Sequence, residues 1–477
     1  MPPTDATVAT TTSGQIRGHR HDHGTVFLSV PYAAPPVGAA RFTAPQPHPG
    51  WTEIRDATQP GPTAPQPVRD QFGTLDMSPY FGPGWRRGED YLTVNVWAPR
   101  RDGRPHPVMV FVHGGGFVAG SSHAPLYDGS AFLRDGVVLV TVNYRLGVPG
   151  FLHLPDAPDN RGLLDVLAAL QWVQDNISGF GGDAGNVTLF GQSAGAIIVA
   201  GILADPSAQG LFQRAIVQSG SGTAAFTPEQ ATIVTTAVGH ALGLEPTAAN
   251  LTDVPDERFL EILPRLNELD LRTSTNHDPL GGITRFGVIS ERHPAAAIAG
   301  CRADLLTGTN LDEGNLYLAP LGLLAGSTDA DVHDTAARFH PDPTAAVHAY
   351  RQRFPDAGAA ELRSILLGDG LFGTGTALLA AAHATAAPGR TYRYEFGWRS
   401  SALDGQLGAI HVVELPFVFD HVSLPALRGR DALLGDVDPP TELAAGTHRA
   451  WVAFARTGDP GWPPYRGLGG HIQSIGR

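Results

Sequence analysis

The sequence predicts an α/β fold: a mostly parallel central sheet with helices on both sides. Three observations carry that prediction. Residues 108–112 and 137–144 are continuous apolar, β-branched runs, as strands buried on both faces require. Apolar residues at 163, 167, 170, 173 and 177 mark one face of a helix. Further short apolar runs at 187–190, 215–217, 304–308 and 392–396 alternate with helical texture, the pattern of parallel strands joined by crossover helices.

Taken in order, the first hundred residues read as antiparallel β-structure. Short apolar runs (Val26-Phe27-Leu28, then 92–97) are set between stretches dense in Pro and Gly. Residues 70–87 form a long loop-like insertion bearing Tyr80, Phe81 and Trp85, aromatic side chains suited equally to lining a pocket or pinning the loop down. The Pro-, Thr- and Asp-rich stretch around 222–300 lacks strong strands and reads as a helical insertion or cap. No linker separates two self-sufficient cores, so residues 1–477 read as a single domain with insertions.

Composition narrows the function classes. The 42% of hydrophobic residues suffices for a large core, and the 58 Gly and 40 Pro stay below the level of disordered chains. The net charge of −13 is evenly spread, which disfavours nucleic acid and anionic membranes as partners. All 33 basic residues are arginine, which removes a P-loop lysine, a Schiff-base lysine and a Ser-Lys dyad from consideration. The single cysteine, Cys301, reads as buried packing and excludes an intrachain disulfide or a Cys-rich metal site. The N-terminus lacks a basic n-region and an apolar h-region, and the apolar run 194–204 is too short to span a bilayer. The expectation is a soluble, cytoplasmic protein.

The stretch carrying chemistry is Gly191-Gln192-Ser193-Ala194-Gly195, between the apolar run 187–190 and a small-residue, helix-friendly run. Strand, sharp turn and helix put the Ser193 hydroxyl at a strained apex, and both flanking glycines are needed because the backbone is crowded there. A serine hydroxyl needs a base, an orienting acid and oxyanion donors to act as a nucleophile. His113-Gly114-Gly115-Gly116-Phe117 directly follows the strand at 108–112, and its glycines let backbone N–H groups approach an oxyanion. The N–H of Ala194 completes such a hole. Chain order places the acid and then the base downstream of the serine. Asp312 and Glu313 both follow the strand at 304–308, and spacing does not choose between them; eight histidines lie further on.

Across nearly its whole length the chain resembles the type-B carboxylesterase family, which includes cholinesterases and bacterial para-nitrobenzyl esterases. The motifs include Val30-Pro31-Tyr32-Ala33, Glu89-Asp90-Tyr91-Leu92 and Val142-Asn143-Tyr144-Arg145-Leu146-Gly147. They continue through Phe180-Gly181-Gly182-Asp183, residues 186–195, Gln218-Ser219-Gly220-Ser221 and residues 454–460. The resemblance implies the α/β-hydrolase fold and selects Glu313, the glutamate before Gly314, as the acid. It implies His411 as the base, from the segment 407–419, with His421 the fallback. It gives Ser219 a supporting hydrogen-bonding role near acid and base. Four departures stand out: Gln192 where many members have glutamate, Val412 where a glycine follows the histidine, a Gly-rich end after Pro464 unlike the usual last strand, and Tyr91. Gln192 weakens the case for a cationic alcohol group, and Val412 is expected to be tolerated. Tyr91 replaces a cysteine that secreted relatives pair in a disulfide.

The expected function is therefore hydrolysis of small-molecule carboxylic esters through an acyl-enzyme on Ser193, Glu313 and His411. The expected oxyanion donors are Gly115, Gly116 and Ala194, with Ser219 and Gln192 in support and no cofactor or metal. Amide, carbamate or thioester hydrolysis or acyl transfer on the same triad, and a non-catalytic binding role, are the alternatives. The oligomeric state is left open. Two further motifs carry little: Gly368 to Gly373 fits a nucleotide-loop pattern but reads as a turn, and His19, His21 and His23 read as a solvated hairpin.

Overall fold

The computed structural model describes residues 8–467 and 469–477; the first seven residues of the N-terminal stretch read above, and Leu468, lie outside them. A ten-stranded sheet runs through the molecule. In chain order its strands are β1 (His19–His21), β2 (Gly24–Pro31), β3 (Thr93–Pro99), β4 (His106–Val112) and β5 (Val138–Val142). They continue with β6 (Gly182–Gln192), β7 (Arg214–Gln218), β8 (Asp304–Asn310), β9 (Thr391–Phe396) and β10 (Gln473–Ile475). The spatial order is β1-β2-β3-β5-β4-β6-β7-β8-β9-β10. The first three strands pair antiparallel, β3 onto β5 included, and every pairing from β5 to β10 is parallel.

Both faces of the sheet are buried, which is why its strands read as unbroken apolar runs. Val108, Val110 and Val112 of β4 join the core on one face, while Met109 and Phe111 join the core on the other. The helix expected over 163–177 is α1 (Arg161–Asn176). Its buried face includes Val166 and Ala169, and Leu167 is only partly buried, a small rotation from the predicted stripe. Wholly buried Arg145 bonds Asp165 of α1 through its backbone N–H and two guanidinium nitrogens, and its remaining end donates to the carbonyls of Arg41 and Thr43. That one ion pair ties the loop after β5 to α1 and to the N-terminal segment.

Helix α2 (Ala194–Leu203) follows β6 directly. The region 222–300 contains α3 (Pro228–Leu242), α4 (Asp256–Leu266) and shorter turns, with Ala225–Phe226 and Val288–Ile289 pairing in parallel across its base. Two readings are corrected. Residues 368–373 are not a turn: Ala359–Gly368, a π-helical stretch Asp369–Gly373 and Thr374–Ala386 form one unbroken helical run. By length and composition this 28-residue run could cross a bilayer, yet half of its most apolar window is buried in the molecule. The Gly-rich end does supply a strand, since β10 pairs with β9 at the sheet edge. Its apolar content is one isoleucine, too little for the pattern to register.

Candidate active site

The parallel strands end at one edge of the sheet, and the loops leaving β4, β6, β8 and β9 meet there. At the end of β6, Ser193 has φ 56° and ψ −125°, outside the wells open to a side-chain-bearing residue. The turn is held by Ser193 N–H donating to Gln218 O at 3.0 Å and Ile197 N–H donating to Ser193 O at 2.9 Å. Both glycines are sterically obligatory. A Cβ on Gly195 would lie 2.1 Å from Val112 O, and one on Gly191 would lie 2.7 Å from Gly195 C. The Ser193 hydroxyl has no hydrogen-bond partner among the described residues, and the residue lines a pocket with Gly115, Gly116, Ala194 and His411.

The loop after β4 presents donors to the same pocket. Gly115 and Gly116 have φ values of 116° and 64°, and a Cβ on Gly115 would meet Ala119 O at 1.9 Å. The N–H groups of Gly115, Gly116 and Ala194 donate to no described residue. His113 braces the loop from beneath: its ring stacks on Tyr144 at 4.5 Å, and Tyr144 OH donates to His113 O. Burial pushes the His113 pKa down to about 4, so it remains neutral through the physiological range.

Glu313 opens a short helical turn after β8, and its two carboxylate oxygens are differently occupied. Oε1 accepts from Asn310 N–H at 2.8 Å and Ser219 Oγ–H at 2.5 Å, while Oε2 lies 2.6 Å from His411 Nδ1. Ser219 is itself held at φ 49° and wholly buried at the end of β7. Neighbouring Asp312 points elsewhere: it accepts from Ala409 N–H at 2.7 Å and pairs with Arg399, clamping the loop that carries His411. His421 pairs with Asp128 and does not line the pocket. Val412 takes φ 78°, a left-handed conformation that costs a β-branched residue more than it costs glycine.

Gln192 and Tyr80, both singled out in the sequence, sit beside His411, while Phe372 and Glu414 escaped the sequence reading. Gln192 lies with its Nε2 3.2 Å from His411 Nε2, while its Oε1 accepts from Tyr80 OH at 2.8 Å. With His411 Nδ1–H directed at Glu313, the amide donates to the ring's one free lone pair. Phe372, on the π-helical stretch, stacks face to face on the His411 ring, centroids 4.3 Å apart and planes 10° apart. A helical pattern alone carries no sign of an extra residue in a turn, so this contact had no sequence signal. Glu414 is wholly buried beneath the pair, accepting from Asn310 Nδ2–H at 2.6 Å and Gln218 Nε2–H at 3.2 Å. Burial and then the charge of Glu313 raise its pKa to about 7. An acid inside the apolar segment 407–419 was its available signal. Of the aromatics on the 70–87 insertion, Tyr80 and Phe81 line the pocket, whereas Trp85 lies under the Arg87 guanidinium.

The model of the carboxylesterase family matches residues 5–468. Phenmedipham hydrolase of Pseudarthrobacter oxydans is 36% identical, over 96% of this chain and 93% of that protein. Para-nitrobenzyl esterase of Bacillus subtilis is also 36% identical, over 96% of this chain and 92% of its own. Among solved structures, a carboxylesterase of Geobacillus stearothermophilus superposes with a TM-score of 0.80 at 32% identity, covering 98% of this chain and 96% of that one. These relatives are of the α/β-hydrolase fold, as is the sheet described above. The chain belongs to the carboxylesterase family and is a carboxylic-ester hydrolase.

Proposed function

We propose that the ester is cleaved through an acyl-enzyme formed on Ser193, with residues 1–477 acting as one catalytic unit on small-molecule esters in the cytoplasm. The reading gives nucleic acid and membranes no part. His411 Nε2 takes the proton of Ser193 Oγ as that oxygen attacks the carbonyl carbon. Glu313 holds the imidazole by Nδ1–H and stabilises its charged form. The N–H groups of Gly115, Gly116 and Ala194 receive the tetrahedral oxyanion. His411 then gives its proton to the leaving alkoxide, the alcohol departs, and a water deprotonated by the same nitrogen releases the acid. Ser219 keeps Glu313 in place through its hydroxyl, and Gln192 contacts His411 Nε2.

One observation carries the reading. The 2.6 Å bond between Glu313 and His411 faces the pocket into which a strained, unpartnered Ser193 opens. A fluorophosphonate probe should label Ser193 alone. Ser193→Ala and His411→Ala should each lower turnover of a para-nitrophenyl ester by about 10⁴-fold, with little added loss when combined. Folded protein that resists labelling, or losses that multiply, would overturn the assignment.

A further inference from the structure

Beyond Ser193, His411 and Thr284, the pocket in front of Ser193 is apolar and aromatic, with one charged exception. Arg69 is the single arginine or carboxylate side chain among its lining residues. It precedes a small hairpin (Gln71–Phe72 with Leu75–Asp76) that is tied down by Thr74 N–H to Pro320 O and Asp76 N–H to Asp431 O. Its guanidinium carbon lies 5.1 Å from the Phe81 ring centroid and 5.9 Å from that of Phe72, and both rings line the pocket. One nitrogen donates weakly, at 3.4 Å, to Gly115 O. The same nitrogen lies 3.5 Å from where a Cβ on Gly116 would stand, so the charge sits over the glycines of the loop after β4.

No carboxylate lies within ion-pairing distance of Arg69 among the described residues, and its other N–H donors have no partner among them. Most arginines of this chain are treated differently. Arg145 and Arg161 are both wholly buried; Arg145 is saturated by Asp165 and three carbonyls, and Arg161 by four carbonyls. Burial lowers the Arg69 pKa, and only the Tyr317 and Tyr80 hydroxyls act against that. A partly desolvated cation with a vacant planar fork is built to accept a carboxylate in two parallel hydrogen bonds. No carboxylate in the pocket lining offers a cation an ion pair. Gln192 is neutral, and Glu313 is committed to His411, Ser219 and Asn310.

We propose that Arg69 is a specificity-determining residue, and that this hydrolase prefers esters bearing a free carboxylate a few bonds from the scissile carbonyl, such as half-esters of dicarboxylic acids. The proposal rests on the acyl-enzyme reading above, because it places the anion relative to Ser193.

The test uses three para-nitrophenyl esters of matched length: the hexanoate, the half-ester of adipic acid, and the 5-(trimethylammonio)pentanoate. Each kcat/KM is normalised to fluorophosphonate-titrated sites and expressed as a ratio on one preparation, so a general loss of activity cancels. The adipate-to-hexanoate ratio should fall by about 10- to 100-fold in Arg69→Gln, the span of a hydrogen bond between charged groups. Arg69→Lys should restore part of the ratio, and Arg69→Glu should turn preference toward the cationic ester. Should the variants yield too few titratable sites, the wild-type ratio itself must fall severalfold as salt rises from about 0.02 to 0.5 M, since screening acts on the charge pair alone. A ratio indifferent to both the substitutions and salt overturns the role of Arg69 while leaving the hydrolytic mechanism intact. Absence of turnover of all three esters overturns both.

Discussion

Gln192 offers a sharp test of how the resting site is arranged. The His411 ring has one lone pair not engaged by its own proton, and the Gln192 amide donates to it at 3.2 Å. Ser193 must use that same lone pair to lose its proton, and its hydroxyl is unpartnered in this geometry. Each turnover therefore breaks a neutral hydrogen bond before it makes the productive one. The net value of such a bond is roughly 0.5–1.5 kcal/mol, so removing it should raise the reactivity of Ser193 by about 2- to 10-fold. Gln192→Met keeps the volume and deletes the donor, but it also strips Tyr80 OH of its acceptor. Pairing it with Tyr80→Phe removes that buried hydroxyl, whose orphaning would otherwise cost about 1–3 kcal/mol. The assay is the second-order rate of fluorophosphonate labelling, which reads Ser193 nucleophilicity without the deacylation step. Labelling that is unchanged or slower in both the single and the paired variant would refute the competition argument and mark Gln192 as a support for the imidazolium instead.

Two further outcomes follow from buried charge. Glu414 titrates near 7 when folded against about 4.5 when unfolded, so its contribution to stability is present in full below pH 4.5 and lost as pH rises through 7. The difference amounts to about 3 kcal/mol; denaturant unfolding of Glu414→Gln should lose less stability than wild type between pH 5 and pH 8 by about that much, and parallel pH profiles would contradict it. Asp165→Asn keeps the shape of its site but leaves Arg145 charged and wholly buried without its anion, which should cost about 3–5 kcal/mol in the same unfolding assay.

What was legible in the sequence follows from how each feature is encoded. Strands buried on both faces are largely apolar, so most of β4 and β5 and the second half of β6 were visible as runs. The elbow was visible because a backbone clash leaves only glycine at 191 and 195. The glycine loop after β4 was visible for the same reason at 115. Asp312 and Glu313 were not separable by pattern, since both follow β8. The fold divides them by sending one carboxylate to the Ala409 N–H and the other to the His411 ring. Contacts made by single side chains from distant segments left no trace. Arg69 and Phe372 reach the pocket through tertiary packing, and no spacing rule joins positions 69 and 372 to the elbow at 193. The strand after Pro464 was missed because β10 is a short edge strand whose pairing is carried by backbone groups.

The π-helical stretch at Asp369–Gly373 acts as a phase shifter. Upstream, Ala359–Gly368 packs against the turn that carries Glu313, with a Cβ on Gly368 only 3.0 Å from Glu313 Cβ. Downstream, Thr374–Ala386 meets the sheet, where His383 Nε2–H donates to Ala303 O at 3.0 Å and Nδ1 accepts from Thr391 Oγ1–H at 2.8 Å. In an uninterrupted α-helix each residue advances about 100°, so one residue fewer in the loop of the π turn would rotate one of those faces by that angle relative to the other. The extra residue lets a single rod satisfy two surfaces that do not lie in register, and it sets Phe372 on the His411 imidazole at the point where the phase changes. The position of that ring is thereby coupled, along a rigid axis, to how the far end of the helix seats on the sheet.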